Sequence, residues 1–251
     1  MRLTSLSVAT PAFNEHECIE PVLTEWFDYL SGRFPVGSYE VVVCDDGSID
    51  GTAEILLRLQ SRFPALRVVT HPSNRGAAVA MASAIRATTL GWVLLLDVDG
   101  QFPIQNLDRL EAAWTDPDVA AFTGARTLKS DSAFARLGSW GSGQFCNLVH
   151  GTRYRDFNSA FKLVRGHLLR GLPLEARGLN YSIEITSRLL ERGVRLQEVE
   201  IEHRPRLAGR SSMHPLRGAV DRALFVSYLG SRRLMFRMGV LRAPGADEVS
   251  P

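Results

Sequence analysis

Cysteine is scarce in this chain. Its 251 residues include three cysteines, Cys18, Cys44 and Cys146, scattered and odd in number. That excludes a disulfide framework and any CxxC metal pair, and it points to a reducing compartment. Lysine is scarcer still: Lys129 and Lys162 are the only two, so nearly all positive charge is arginine. Long apolar runs are missing, and no stretch approaches the roughly 18 residues that span a bilayer. The opening MRLTSLSVATPAFNE is too short and too polar for a signal peptide. A cytoplasmic protein is expected, touching a membrane only peripherally and from the cytoplasmic face. An excess of one charge is absent too, with a formal net of +2, so no nucleic-acid partner is expected. There is no internal repeat and no low-complexity tract.

What is present is an ordinary globular composition, 45% hydrophobic and 22% charged, in a chain long enough for a sizeable core. Charge is unevenly placed. From Ile201 to Arg242, nine arginines stand against Glu202 and Asp221, a local excess of seven that leaves the rest acidic by five. Apolar patterning predicts strands at Leu6–Pro11, Tyr39–Cys44, Leu66–Thr70, Trp92–Leu96 and Val119–Phe122, with helices at Glu17–Leu30, Thr52–Arg62, Asn74–Thr88 and Ile104–Trp114 between them. This alternation indicates an α/β fold with a mostly parallel sheet and helices on both faces. The second half is less regular. A helix is expected over Ser132–His150, a strand over Phe157–Val164, a helix over Tyr181–Glu191 and a strand over Arg195–His203. A basic loop, Arg204–Ser212, then leads to one or two basic amphipathic helices in Leu216–Leu241, and the last ten residues read as disordered.

Chemistry concentrates where strands end. LLLDVDGQF, Leu94 to Phe102, is an apolar run that stops at two carboxylates spaced i, i+2. Alternate residues leaving a strand point the same way, so Asp97 and Asp99 converge with Gln101 close by. Two carboxylates and an amide oxygen suit Mg²⁺ or Mn²⁺; the same letters also describe a solvated Asp-Gly turn. Two further clusters, Pro11–Glu15 and Asp45-Asp46, fall at the same kind of strand end. Open α/β sheets bind ligands beyond the carboxyl ends of their strands, and three clusters at one edge favour a site over three turns.

The motifs together resemble the inverting family 2 glycosyltransferases of the GT-A fold, a Rossmann-like nucleotide-diphospho-sugar transferase architecture. PAFNE at Pro11–Glu15 is similar to their PxYNE start, with Phe13 for tyrosine. DDGSIDGT at Asp45–Thr52 is nearly their DDGSxDGT, NRGAAVAMASAIRAT is similar to the helix that follows, and DVDGQF to their DxD region. The resemblance runs from about Leu6 to Ser212. In the second half it is closest to polyprenyl-phosphate hexose synthases of the dolichyl-phosphate mannose synthase type. The segments that carry it are GAR at Gly124–Arg126, DFNSAFKLVR at Asp156–Arg165 and RLAGRSSM at Arg206–Met213. Ala160 stands where a glycine is usual and Ser212 where a lysine is usual.

The resemblance implies roles. Pro11, Phe13, Glu15, Cys44, Asp46 and Asp97 would line the nucleotide-sugar site, with Asp45 supporting the loop. Asp97, Asp99 and Gln101 would hold one divalent cation, Mg²⁺ or Mn²⁺, against the donor diphosphate. Arg126, Arg136 and Arg206, with Ser211, would grip phosphate, since guanidinium forks match phosphate oxygens; an exposed arginine is otherwise ordinary surface. Asp99, Arg126 and Arg206 are the catalytic candidates. Past Gln101 there is no Glu-Asp pair, and a phosphate monoester acceptor is already anionic and needs no general base. Glu184 is open between base and helix acid, and His203 and His214 read as incidental. The expected organisation is a transferase domain over residues 1–213 and a basic helical tail over 214–251. That tail either contacts an anionic membrane or packs on the body. The expected activity moves a hexose from a nucleotide-sugar, GDP-mannose first and UDP-glucose second, to a polyprenyl or dolichyl phosphate. The alternatives are the same donor chemistry onto a soluble hydroxyl acceptor or specialised metabolite, and a non-catalytic nucleotide-sugar-binding protein.

Overall fold

A computed structural model describes residues 2–127, 133–176, 178, 180–207 and 215–239, the side chains of 133–139, 215–219 and 236–237 excepted. Strands β1 (Leu6–Ala12), β2 (Tyr39–Asp45), β3 (Leu66–Thr70) and β4 (Trp92–Leu95) alternate with helices α1 (Ile19–Ser31), α2 (Thr52–Arg62) and α3 (Ala77–Ala87). Then come α4 (Asn106–Ala113), β5 (Ala121–Arg126), α5 (Ala133–His150), β6 (Lys162–Arg165), α6 (Gly166–Arg170), α7 (Tyr181–Glu191), β7 (Leu196–Ile201) and α8 (Pro215–Arg237). The sheet order is β3-β2-β1-β4-β6-β5-β7. β6 runs antiparallel to both β4 and β5, and the other pairs are parallel.

The centre of the sheet is dry. Val41, Val42, Val43 and Cys44 of β2 are all fully buried, as expected of a parallel strand covered on both faces. α3 lies against β1 and β2, and its small residues Ala80 and Ala84, also fully buried, permit that close approach. Trp26, Leu23 and Leu30 of α1 fill the core from their own helix. A second, smaller apolar cluster joins α5, α7 and α8 through Cys146, Ile183, Val226 and Leu229, with Phe157 beside them.

Several strand ends shift by one or two residues from expectation, and two shift further. β6 begins at Lys162 and not at Phe157. Before it the chain turns, with Ser159 N donating to Asp156 O at 3.4 Å and Asp156 N to Glu198 Oε1 at 2.9 Å. β5 extends to Arg126 because it gains β7 as a parallel partner. The carboxyl ends of β1, β2 and β4 share one edge, which brings the three polar clusters together.

Candidate functional site

The loops after β1 and β2 are laced into one wall. Asn14 takes a left-handed φ of 55°. Its backbone N donates to Ser48 Oγ at 3.0 Å, and its side-chain oxygen accepts from Ile49 N at 2.9 Å. Glu15 N donates to Thr52 Oγ1 at 2.9 Å. Asp50 accepts from Thr52 N and Oγ1 and from His16 N. Partial burial raises the Asp50 carboxyl, but these hydrogen bonds outweigh it and hold the group down at about 2. Pro11, Phe13 and Glu15 are half-buried at this wall.

Cys44 and Asp46 lie behind it. Asp46 is buried and faces the protein. Its carboxylate accepts from Arg75 N at 3.0 Å and Gly76 N at 2.7 Å, and Oδ1 lies 2.6 Å from His71 Nδ1. It therefore holds the loop that starts α3. Asp45 accepts from Ser48 N at 3.1 Å, supporting its own turn. Gly47 has φ +73°, and a Cβ there would sit 2.6 Å from the Ser73 carbonyl carbon, so only glycine fits. Burial, then the Asp46 and Asp45 charges, push the Cys44 thiol up to about 12.

Past β4 the carboxylates gather. Asp97 Oδ1 accepts from Tyr181 Oη at 2.5 Å. Asp99 Oδ1 accepts from Gln101 N at 3.0 Å, and Asp99 Oδ2 lies 3.0 Å from the Arg206 guanidinium. The other arm of Arg206 is 3.6 Å from Glu15 Oε1, and Cys18 Sγ donates to Glu15 Oε2 at 3.0 Å. Burial, then the neighbouring Asp99 charge, push the Asp97 carboxyl up to about 7, while the Tyr181 hydroxyl and Arg206 pull it back. The chain before residue 208 crosses this loop. Arg204 N donates to Gln101 O at 2.7 Å and Leu207 N to Asp99 O at 3.3 Å. Gly100 takes φ +76°, where an L side chain is strained, and Leu207 Cδ1 would stand 2.4 Å from its Cβ.

Among the described residues, no group of three or more His, Cys, Asp or Glu side chains could hold a metal. The residues present nonetheless fit a hard cation. Asp97 and Asp99 crowd negative charge at one point, an oxygen donor set that a hard divalent cation would take. Gln101 is half-buried beside them.

The remaining expected residues divide. Arg126 closes its fork on Asp156, Nε to Oδ2 at 2.6 Å and a terminal nitrogen to Oδ1 at 3.1 Å. The Arg136 side chain, Ser211, Ser212 and His214 lie outside the described residues, as do the last ten. Glu184 is fully buried. Its oxygens accept from Glu175 N, from Ala176 N at 2.7 Å, and from Arg188 Nε at 3.2 Å and its terminal nitrogen at 2.8 Å. The His203 ring packs edge-on against Phe102, centroids 4.9 Å apart.

The profile of glycosyl transferase family 2 matches residues 7–180. The chain belongs to that family. This glycosyltransferase is similar to a dolichyl-phosphate hexose transferase of Haloferax volcanii, 29% identical over 218 residues, 85% of this chain and 88% of that protein. It is similar over a shorter region to dolichyl-phosphate beta-glucosyltransferases of Trichomonas vaginalis (34% over 104 residues, 40% of this chain) and Homo sapiens (31% over 116 residues, 44% of this chain). In those two alignments the chain spans 31% and 36% of its relatives' length. Its fold is similar to glucosyl-3-phosphoglycerate synthase from Mycobacterium tuberculosis, solved with Mn²⁺, uridine diphosphate and phosphoglyceric acid. The TM-score is 0.65 at 19% identity, covering 97% of this chain and 84% of that one. That likeness shows the GT-A fold.

Sequence reasoning missed three groups in this glycosyltransferase. Tyr181 reads as an apolar helix start, and His71 as the residue after a strand. Cys18, read only as one of three scattered cysteines, is a buried thiol that donates to Glu15.

Proposed function

We propose that this glycosyltransferase moves a hexose from a nucleotide-sugar to a polyprenyl monophosphate, inverting the anomeric carbon. The observation that carries the reading is Arg206, held between Asp99 and Glu15 beside Asp97. A guanidinium fork next to two crowded carboxylates is the arrangement a diphosphate and its counter-ion require. UDP-glucose is placed ahead of GDP-mannose because several relatives are named beta-glucosyltransferases.

Pro11, Phe13 and Glu15 form the donor wall, which Asp46 and Asp50 keep rigid from behind. Asp97 and Asp99, with Gln101 adjacent, would hold a divalent cation, which would screen the diphosphate and stabilise the leaving nucleoside diphosphate. Arg206 moves its fork from Asp99 to phosphate oxygen as the donor enters. An acceptor phosphate oxygen then attacks the anomeric carbon in line, the bond to the diphosphate oxygen breaks, and the nucleoside diphosphate departs. No proton has to be removed from the nucleophile, consistent with a Glu184 whose oxygens are filled by protein donors.

The exposed face of α5 and α8 serves as the peripheral membrane contact, and α8 is the appendage of a transferase domain ending near residue 213. Among the described residues, no helix is long and apolar enough to cross a membrane.

The test offers labelled UDP-glucose or GDP-mannose with Mn²⁺ to a short polyprenyl phosphate, 3-phosphoglycerate and a neutral sugar. Solvent-extractable label from the lipid acceptor, lost on chelation and restored by Mn²⁺, is the expected result. Label only in water-soluble products would overturn the acceptor assignment.

A further inference from the structure

Asp97 and Asp99 are held differently. Asp99 is held by the Gln101 backbone and by an arginine on the chain crossing above it. Asp97 is held by a neutral hydroxyl on a helix. Tyr181 is the first residue of α7, it is 2% exposed, and its Oη donates to Asp97 Oδ1 across 84 positions of sequence. A buried phenol seeks a partner for its O–H, and here that partner is a carboxylate of the expected cation site.

α7 is a rigid support. Ile185 and Leu189 are fully buried in the main core, and Ile183 sits in the second cluster. Glu184 ties the same turn to the 175–176 backbone and to Arg188. The Tyr181 hydroxyl therefore has little freedom. A carboxylate fixed through one oxygen presents the other in a set direction, which is how outer hydrogen bonds orient metal ligands.

We propose that Tyr181 is a positioning residue for the cation, aligning Asp97 so that its free oxygen faces the donor diphosphate. The role rests on Asp97 being a metal ligand, and the experiment separates the two claims. Full-length parent, Tyr181→Phe and Asp97→Ala proteins are titrated with Mn²⁺, with and without UDP, and free Mn²⁺ is counted by its paramagnetic resonance signal. Thermal melting and the Mn²⁺ dependence of turnover are recorded alongside.

Tyr181→Phe should weaken Mn²⁺ binding by roughly 10- to 100-fold, the usual cost of losing a ligand's outer partner. The apparent KM for Mn²⁺ should rise in parallel, and saturating Mn²⁺ should return kcat to within a few-fold of the parent. Tyr181→Gln, which restores a donor without the ring, should recover part of the affinity. A Tyr181→Phe protein that binds Mn²⁺ like the parent overturns the proposal, and a lowered melting temperature with unchanged Mn²⁺ affinity does the same by reducing Tyr181 to core packing. If Asp97→Ala also binds Mn²⁺ normally, the cation site itself is misassigned. If Asp97→Ala loses Mn²⁺ and Tyr181→Phe does not, only the Tyr181 role fails.

Discussion

On the proposed cation site, Arg206 and a divalent cation would compete for one oxygen. The guanidinium sits 3.0 Å from Asp99 Oδ2, so it neutralises the carboxylate that the cation is expected to take. Arg206→Ala removes the competitor and also the phosphate grip. Its Mn²⁺ affinity should therefore rise several-fold while turnover falls by about 100-fold or more, the scale of losing one charge-stabilising group. Calorimetric Mn²⁺ titration beside steady-state kinetics checks the pair, and weaker Mn²⁺ binding would remove the place-holder role. Lys162 gives a second residue-scale outcome. It is fully buried with Nζ donating to Thr123 Oγ1 at 2.9 Å, and burial brings it down to about 7 against the opposing charges of Asp156 and Glu198. The unfolded chain keeps this proton up to about pH 10.5. Between pH 7 and 10.5 the unfolded state binds more protons, so this lysine makes stability rise with pH there; below pH 7 both states are protonated and the contribution is flat. Lys162→Met lacks that rise. Its urea-unfolding stability relative to the parent should fall by on the order of 4 kcal/mol from pH 7 to 10.5. A pH-independent difference would show that Lys162 is not buried as a base. The Asp97 and Asp99 pair was legible because i, i+2 spacing at a strand end is a local signal. The partners Tyr181 and Arg206 were less so, since chain fold alone brings them across 84 and 107 positions.

Helix α7 and the loop before it form one element. Glu184 binds the backbone at 175 and 176 and neutralises Arg188, which is 2% exposed. Glu184→Ala removes one of the two carboxylates on that buried arginine, Glu175 Oε2 remaining 2.7 Å away, and leaves the 175 and 176 amides without their acceptor, a loss of about 3 kcal/mol. For a chain of this size the melting temperature should fall by roughly 10 °C. Glu184→Gln keeps part of the hydrogen bonding. Below its own melting transition it should retain turnover within about tenfold, whereas a lost general base costs about 10²–10⁴. A loss in that upper range, in a folded protein, would return Glu184 to the chemistry. At this scale the elements with an unbroken local pattern were readable in advance: β2 from its Val-Val-Val-Cys run, α1 from its apolar spacing, α3 from its alanines. β6 was placed too early because Phe157 and Phe161 suggest a continuous strand. In the fold Phe157 belongs to the second cluster and Asp156 turns to hold Arg126, so pairing starts only at Lys162. The antiparallel insertion of β6 between β4 and β5 follows from tertiary packing, which local periodicity does not encode.

The whole molecule presents one uneven face. Val226 and Leu229 of α8 are buried against α5 and α7, Tyr228 Oη donates to Glu175 Oε2 at 2.7 Å, and Arg233 Nε to Val149 O at 2.9 Å. The helix is thus docked on the body. The same helix still carries Val220, Leu224 and Leu234 exposed on one side, with Met238 exposed just past its end, and neighbouring α5 exposes Trp140 and Leu148. Apolar stripes on two packed helices, one of them in a segment with an excess of seven positive charges, have the composition of an anionic-membrane surface. The two expectations for the tail, packed helix or membrane contact, are therefore compatible, one on each side of α8. Deleting the helix would be a poor test, because it strips Val226 and Leu229 from their cluster. Leu224→Glu with Leu234→Glu changes only the exposed side. That double variant should melt within about 2 °C of the parent, since surface substitutions cost little. It should also keep its turnover on a water-soluble short-chain acceptor phosphate. Flotation with vesicles containing anionic lipid should drop sharply, and turnover on vesicle-embedded acceptor should drop with it. Undiminished flotation would move the membrane contact elsewhere on the protein. Lost turnover on the soluble acceptor would instead tie this face to the reaction centre, because the two substitutions would then be acting through α8 on α7 and its Tyr181–Asp97 contact.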